Sequence, residues 1–507
     1  MVSGYTAYDI SLDPRTLTEL AALPGSTLPE VYAAVAAAYT AAAPMSSSSG
    51  AERAGWLEAL ATAVEAAVED LVAVADAETG LGVARLTGEV TRCANQLRFY
   101  AGIAREGSFL GATIDSRTAT TPDLRRIRRP LGPVAVFGAS NFPFGFGTLG
   151  NDTGSALAAG CPVVVKGHPA HPQTHAMLAD IARTALAAAG APDGAFGAVT
   201  GFEAGQALVL HPQITAVAFT GSQHAGLALW SLAASRPVVI PVFAEMGTVN
   251  PVVVTPAAAD SRLTEIAEGC VGSFTLGMGQ FCTKPGLLLA PLGSGLATHI
   301  AEALLAVNPR GPLLTPGIAA NYVAGIDRLV LGGAVVIGGV VDPGPGTAVS
   351  AAVLAAAPES IQPGSPLLAE CFGPVVIVVE YPDTAERDRL LATLDGCLVA
   401  AVMTGGDDDP DAADLVGQLA GLAGRVVVDE WTTGVATTWA QHHGGPWPST
   451  SSPASTSVGA AALDRFSRPV TYQNTPQSAL PAALRDGNPW RIPRRVDGRI
   501  QPAEPEE

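Results

Sequence analysis

Pro133-Val134-Ala-Val-Phe137-Gly138-Ala-Ser-Asn141-Phe142-Pro-Phe144 is the stretch whose reading decides the fold. The short apolar run from Val134 to Phe137, closed by a glycine, reads as a strand. It hands over to a turn that presents the Asn141 amide at the strand's C-terminal end, where ligands of α/β sheets sit. Toward the C-terminus the pattern repeats. Residues 163–165, 195–199, 217–219 and 238–242 are strand candidates, and 152–159, 172–189, 203–210 and 222–235 are helix-length segments between them. Strand, helix, strand in this rhythm implies parallel βαβ units and a doubly wound sheet. A second set of such elements runs from 252 to about 428, so two α/β domains are expected.

Toward the N-terminus, residues 113–129 alternate polar and apolar side chains with several arginines, as an exposed extended segment or hairpin does. Before it lie a helical stretch at about 84–104 and an Ala-rich helical region at 30–80. There Trp56, Leu57, Leu60, Val64, Val68, Leu71 and Val74 recur mostly at spacings of three and four, after a loop at 46–50. Residues 448–457 are rich in Ser, Thr and Pro and read as a loop. The Pro- and Arg-rich tail from 476 reads as an extended or partly disordered arm.

A chain of 507 residues is too long for one core, which agrees with two domains. Its formal charge of −18 repels nucleic acid and anionic membrane surfaces, so neither is expected as a partner. No continuous apolar span and no basic-then-apolar leader is visible, and the six cysteines show no paired spacing. Free thiols in a reducing compartment, the cytoplasm, are the simplest reading. Only two lysines occur, Lys166 and Lys284, so Lys166 marks a place where a compact three-donor cation is needed.

Four segments carry chemistry. Gly277-Met-Gly-Gln-Phe-Cys282-Thr-Lys-Pro-Gly286 places a cysteine among glycines that allow close approach to the backbone. On this segment alone, a buried structural thiol and a nucleophile remain equally open. Phe137-Gly-Ala-Ser-Asn141 offers an amide. Phe219-Thr-Gly221-Ser222 closes a strand and opens a helix, a place that favours phosphate. Ala244-Glu245-Met-Gly247-Thr-Val-Asn250-Pro sets a carboxylate in an apolar setting, which would raise its pKa toward that of a general base. His168, His171, His442 and His443 raise the question of a metal, but no carboxylate sits at ligand spacing in the sequence and none is expected to bind.

Together with Val-Val-Val-Lys166-Gly-His-Pro and Glu370-Cys-Phe372-Gly-Pro374, these motifs in this order resemble the aldehyde dehydrogenase superfamily over about residues 56–473. Within it, Val-Lys-Gly-His-Pro-Ala-His-Pro, Gly-Gln-Phe-Cys-Thr and His442-His-Gly-Gly-Pro446 look like the branch of the α-ketoglutarate semialdehyde (2,5-dioxovalerate) and NADP-linked fatty aldehyde dehydrogenases. The resemblance implies a Rossmann-like cofactor domain at 1–112 and 131–244 and a catalytic α/β domain at 245–445. It also implies small oligomerisation segments at 113–130 and 460–480, followed by a C-terminal arm at 481–507.

It further implies that Cys282 attacks the aldehyde, that Asn141 holds the oxyanion with the Cys282 backbone N–H, and that Glu245 activates the water that hydrolyses the thioester. Lys166 would bind the adenosine ribose, Ser222 and Gly221 the pyrophosphate, and Glu370 the nicotinamide ribose, with Phe372 and Phe137 packing nearby. Phe142, His442 and His443 would line the substrate entrance. Many NAD-using members carry a glutamate where this chain has Pro169, so NADP is the expected preference over NAD. The implied assembly is a homodimer or homotetramer, and the implied substrate is α-ketoglutarate semialdehyde. Fatty or aromatic aldehydes, a CoA-acylating activity and a catalytically silent homologue stay open as alternatives; the presence of Glu245 counts against the CoA-acylating one.

Overall fold

The computed structural model describes residues 8–339 and 344–503. In the N-terminal half, five parallel strands form one sheet in the order Phe196–Val199, Val163–Lys166, Val134–Phe137, Ala216–Gly221, Val242–Met246. Alternate side chains enter two separate cores. Val134, Val136, Val163 and Val165 meet the helices Gly50–Ala66, Val83–Glu106 and Pro172–Ala188 on one face. Ala135, Phe137, Val164, Val217 and Phe219 meet Leu28–Ser47 and Phe202–Leu210 on the other. Coverage on both faces is why these strands are continuously apolar.

The last strand departs from the sequence expectation. Val238 and Val239 are 72% and 64% exposed, and the strand begins at Val242 instead. The loop expected at 46–50 shrinks to Ser48-Ser49, because capping boxes at Thr27/Glu30 and Ser49/Glu52 start two successive helices. Gly50 closes that junction: a Cβ there would lie 1.9 Å from the Ala104 carbonyl oxygen.

The second sheet has seven strands in the order Val335–Gly339, Ala352–Ala356, Val375–Tyr381, Pro285–Pro291, Asn250–Val254, Cys397–Met403, Ala423–Val428. All pairs are parallel except the first. Val253, Leu287, Leu289 and Ile377 face one core, and Val252, Val254, Leu288 and Val376 the other.

A third, smaller sheet joins distant parts of the chain. Leu124–Pro130 pairs antiparallel with Ser467–Gln473 on one side and with Thr113–Asp115 on the other. The tail read as an extended, partly disordered arm adds the strands Arg494–Val496 and Arg499–Gln501 to it, and Leu480, Ala483, Leu484 and Ile492 are buried beneath. Among the described residues, no helix is long and apolar enough to cross a membrane.

The two large sheets face one another with opposite polarity. The first offers the C-terminal ends of its strands: Asn141 and Ser222 follow them, and Glu245 is the penultimate residue of Val242–Met246. The second offers N-terminal ends: Asn250 opens one strand, Cys282 precedes Pro285–Pro291 and Glu370 precedes Val375–Tyr381.

Candidate active site

Cys282 sits in a loop that begins with three consecutive residues of left-handed backbone, Gly277, Met278 and Gly279. A side chain at Gly279 would meet the Gly373 carbonyl at 2.3 Å, so the glycine lets the Cys282 and Glu370 loops touch. Met278 carries a strained conformation that glycine would adopt freely, a cost of roughly 1–2 kcal/mol which surrounding bonds must overcome. Those bonds are visible. The Asn250 amide donates to the carbonyls of Cys282 (2.8 Å) and Lys284 (3.0 Å), the Asn141 amide donates to the Gln280 carbonyl (2.8 Å), and Leu314 N–H donates to Gln280 Oε1 (2.9 Å). Asn250 was legible only as a motif letter. Its position at the start of a central strand, fully buried, makes it the brace of the cysteine loop.

Around the sulfur the structure brings together residues far apart in sequence. His443 Nε2 lies 3.6 Å from Cys282 Sγ and 3.0 Å from Glu245 Oε1, while the Ser457 hydroxyl donates to Glu245 Oε2. His443 was expected at the substrate entrance. It is instead 1% exposed, wedged between the thiol and the 4%-exposed carboxylate. His442 stays outside this cluster, half-buried against Gly444.

The sulfur, imidazole and carboxylate atoms lie within 4.8 Å of one another, so distant segments supply the carboxylate and thiol that sequence spacing lacked. Such a donor set is compatible with a chelated ion as well as with proton transfer. The thiol that would ligate is also the one placed to attack.

The electrostatics correct one expectation. Burial pushes the Glu245 carboxyl up, but His443, the Ser457 hydroxyl and the Cys282 thiol outweigh it, and the net shift is downward. Burial, reinforced by the charges of Glu245 and Glu370, pushes the Cys282 thiol well above its ordinary value. The resting pair is therefore a thiol beside an ionised carboxylate, with an imidazole between them.

A cavity of about 450 Å³ connects these residues to the first sheet. Its wall includes Asn141, Phe142, Phe146, Gly221, Ser222, Glu245, Cys282, Glu370 and Phe372. Ser222 is the N-cap of the helix Gln223–Ala234, its hydroxyl accepting from Ala225 N–H at 3.3 Å, so that helix points its positive end into the cavity. Glu370 lines the cavity with its carboxyl pushed to about 7 by burial, against the pull of Lys284. Gly247 leaves it room: a Cβ there would sit 2.2 Å from Glu370 Oε2.

Lys166 ends the neighbouring strand. Its ammonium pKa is lowered by burial, against the charge of Asp9, and no ion pair closes on it among the described residues. The wall passes through His168, Pro169 and Ala170 just beyond it. Phe137, expected to pack near the cofactor, is 8% exposed and lies with the Lys166 stem against Gly205.

The cavity that gathers this thiol, carboxylate and amide belongs to an oxidoreductase of aldehydes. The chain belongs to the aldehyde dehydrogenase family, whose profile matches residues 6–470. It is 45% identical to alpha-ketoglutaric semialdehyde dehydrogenase 2 of Azospirillum brasilense, a match covering 89% of this chain and 88% of that one. It is 41% identical to the alpha-ketoglutaric semialdehyde dehydrogenase of Acinetobacter baylyi, over 93% and 92% of the two chains. The fold is shared with 1-pyrroline-5-carboxylate dehydrogenase from Thermus, solved with bound NAD, at a TM-score of 0.79 and 21% identity over 92% and 89% of the chains.

The family uses NAD(P), and the cavity fits such a group. Its wall carries a helix N-terminus at Ser222 and the half-buried Glu370 carboxylate, which accepts no hydrogen bond from the described residues, and Lys166 lies just before the wall residue His168.

Proposed function

We propose that this enzyme oxidises α-ketoglutarate semialdehyde to the dicarboxylate through a covalent thioester on Cys282. The observation that carries the chemistry is His443 Nε2 standing 3.6 Å from the sulfur and 3.0 Å from Glu245. The thiol gives its proton to His443 as sulfur bonds to the aldehyde carbon. The carbonyl electrons move to oxygen, which the Asn141 amide and the Cys282 backbone N–H hold. A nicotinamide held in the cavity beside Glu370 would supply the acceptor for the carbon-bound hydrogen as hydride, and the acyl group would then remain on Cys282 as a thioester. Glu245 and His443 then direct water at the acyl carbon, the carbon–sulfur bond breaks, and the sulfur regains a proton. Glu245 favours this hydrolysis over transfer to CoA.

Two relatives of more than 40% identity, each matched over most of its length, support the five-carbon semialdehyde as substrate. On the cofactor side, Lys166 and Ser222 hold the adenosine ribose and the pyrophosphate, and Glu370 the nicotinamide ribose. With Pro169 where many NAD-using members carry a glutamate, that carboxylate does not repel a 2′-phosphate, and NADP is preferred over NAD.

The cofactor domain comprises 1–112 and 131–244, and the catalytic domain 245–445. The segments 113–130 and 460–480 join subunits of a homodimer or homotetramer in the cytoplasm. Support for that role comes from Ser467–Gln473, which is an edge strand of the small sheet with one side open.

The test is semialdehyde-dependent NADPH formation by the purified enzyme and by Cys282→Ala, with kcat/KM compared for NADP and NAD. Turnover that survives Cys282→Ala sinks the mechanism, and a strong NAD preference sinks the cofactor assignment.

A further inference from the structure

Arg85, Glu89 and Arg92 follow one another at intervals of four and three on the helix Val83–Glu106, so they share one face. That face meets the reactive loops. Arg85 Nη2 donates to the Asn141 carbonyl at 2.7 Å, and its guanidinium lies 5.1 Å from the Phe142 ring and 5.2 Å from Phe281. The Arg92 guanidinium lies 5.6 Å from Phe142 and 5.7 Å from Phe146. Phe142 follows Asn141 and Phe281 precedes Cys282, so the rings these cations touch belong to neighbours of Asn141 and Cys282.

The loop 432–435 is tied to Arg92. Arg92 Nη2 donates to the Val435 carbonyl (3.0 Å), Arg425 Nη2 donates to those of Thr432 and Gly434 (both 2.7 Å), and Gly434 N–H ties back to Thr283 Oγ1 (2.9 Å). Arg92 and Arg425 are both near enough to Cys282 to feel its charge.

In a chain of net charge −18, Arg92 and Arg425 stand close enough to interact with Cys282 and Arg85 stands against Asn141, and none of the three forms an ion pair among the described residues. Glu89 lies between two of them, but its Oε1 is engaged by Phe144 N–H (2.9 Å) and Gly145 N–H (3.0 Å). Arg85 Nη1 and Arg425 Nε are buried without partners. Arg92 commits Nε to Gln96 Oε1 (3.1 Å) and Nη2 to Val435, which leaves its Nη1 donors free. The charge of Glu89 acts on Arg85 and Arg92 and that of Glu430 on Arg425, but none of these carboxylates hydrogen-bonds an arginine among the described residues, and an arriving anion that did so would stabilise a partly desolvated cation.

We infer that the substrate attacked by Cys282 is an aldehyde whose far end is a carboxylate, with Arg92 as the anchor that receives it. Arg85 and Arg425 hold the Asn141 backbone and the loop 432–435. The Nη1 of Arg92 is the donor that the carboxylate accepts from, and the rings of Phe142 and Phe146 lie beside the same guanidinium. This inference rests on the proposed attack by Cys282, and it adds the residue that selects the substrate.

The experiment compares kcat/KM for α-ketoglutarate semialdehyde and for pentanal, which has the same carbon count and no carboxylate, in wild type, Arg92→Met and Arg92→Lys. NADPH binding by fluorescence shows that each variant is folded. The wild type favours the semialdehyde. In Arg92→Met the ratio of the two values falls roughly 10- to 100-fold, mostly through KM, as expected for a lost charged hydrogen bond. Arg92→Lys restores part of it. A ratio within threefold of wild type in both variants overturns the arginine assignment alone. A wild type that prefers pentanal overturns the substrate reading itself, and oxidation of neither aldehyde overturns the catalytic one.

Discussion

Replacing His443 by Gln removes the imidazole that bridges Cys282 and Glu245 while keeping a polar side chain of similar reach. Its effect follows from the thiol's environment. An ordinary cysteine of pKa about 8.5 is roughly one-tenth thiolate at pH 7.5. Cys282 is pushed well above the ordinary range by burial and by the charges of Glu245 and Glu370, so its resting thiolate fraction is far smaller. Attack must then be coupled to proton transfer, and the imidazole at 3.6 Å is placed to accept the proton.

The imidazolium so formed faces Glu245 at 3.0 Å, a contact that contributes about 5 kcal/mol at an effective dielectric constant near 20, before desolvation is subtracted. Loss of a positioned base costs about 10²- to 10⁴-fold. We expect the NADPH burst in stopped flow to slow by that range in His443→Gln, and alkylation of Cys282 by iodoacetamide at pH 7.5 to slow with it.

The variant also moves Glu245. Without His443, burial is opposed only by Ser457 and Cys282, so the carboxyl pKa rises and the acid limb of the kcat profile shifts to higher pH. A burst rate and an alkylation rate both within threefold of wild type would refute the coupled attack.

Three further outcomes follow from the same geometry. Asn141→Ala should lower kcat about 10²- to 10³-fold with a smaller change in KM, measured by steady-state kinetics, because it removes an oxyanion donor; a change confined to KM would contradict that role. Glu370→Gln should raise Tm at pH 8 and leave it unchanged at pH 4.5. The folded carboxyl, raised to about 7 from 4.5, favours folding fully below 4.5 and loses that contribution as pH rises through 7, whereas the amide does not ionise; a pH-independent difference in Tm would argue against the shift. Gly247→Ala should raise the KM for NADP about tenfold or more, since its methyl would lie 2.2 Å from Glu370 Oε2 and displace the ribose-facing carboxylate; an unchanged KM would show that Glu370 yields freely.

Much of the N-terminal sheet was readable because its strands are buried on both faces and so are spelled as short apolar runs between glycines and prolines. The same logic misplaced one edge. Val238 and Val239 look like strand residues, whereas the true strand carries the charged Glu245 near its end. The motifs around Asn141, Glu245 and Cys282 are local in sequence, and the structure brings all three to one cavity. His443 is different. It stands 161 positions from Cys282 on a long loop with no period of its own, so its place depends on how the second sheet closes against the first. The direction of the Glu245 shift was hidden for the same reason, since the outcome turns on a partner supplied from far along the chain. The arginine face was present as spacing on the helix Val83–Glu106, yet nothing in that spacing tells which side of the helix meets the reactive loops.

The small sheet sets a timetable for synthesis. Arg128 reaches its partner Ser467 across 339 positions, so at 5–20 residues per second the strand Leu124–Pro130 waits roughly 20 to 70 s for a neighbour to leave the ribosome. An unpaired edge of that age invites association with other nascent chains, and the four arginines of Leu-Arg-Arg-Ile-Arg-Arg-Pro supply the charge that discourages it. Chains stalled before residue 467 should therefore stay dispersed with arginines in place and aggregate once Arg126, Arg128 and Arg129 are made threonine, which makes the basic strand a guard during translation as well as a seam in the finished enzyme.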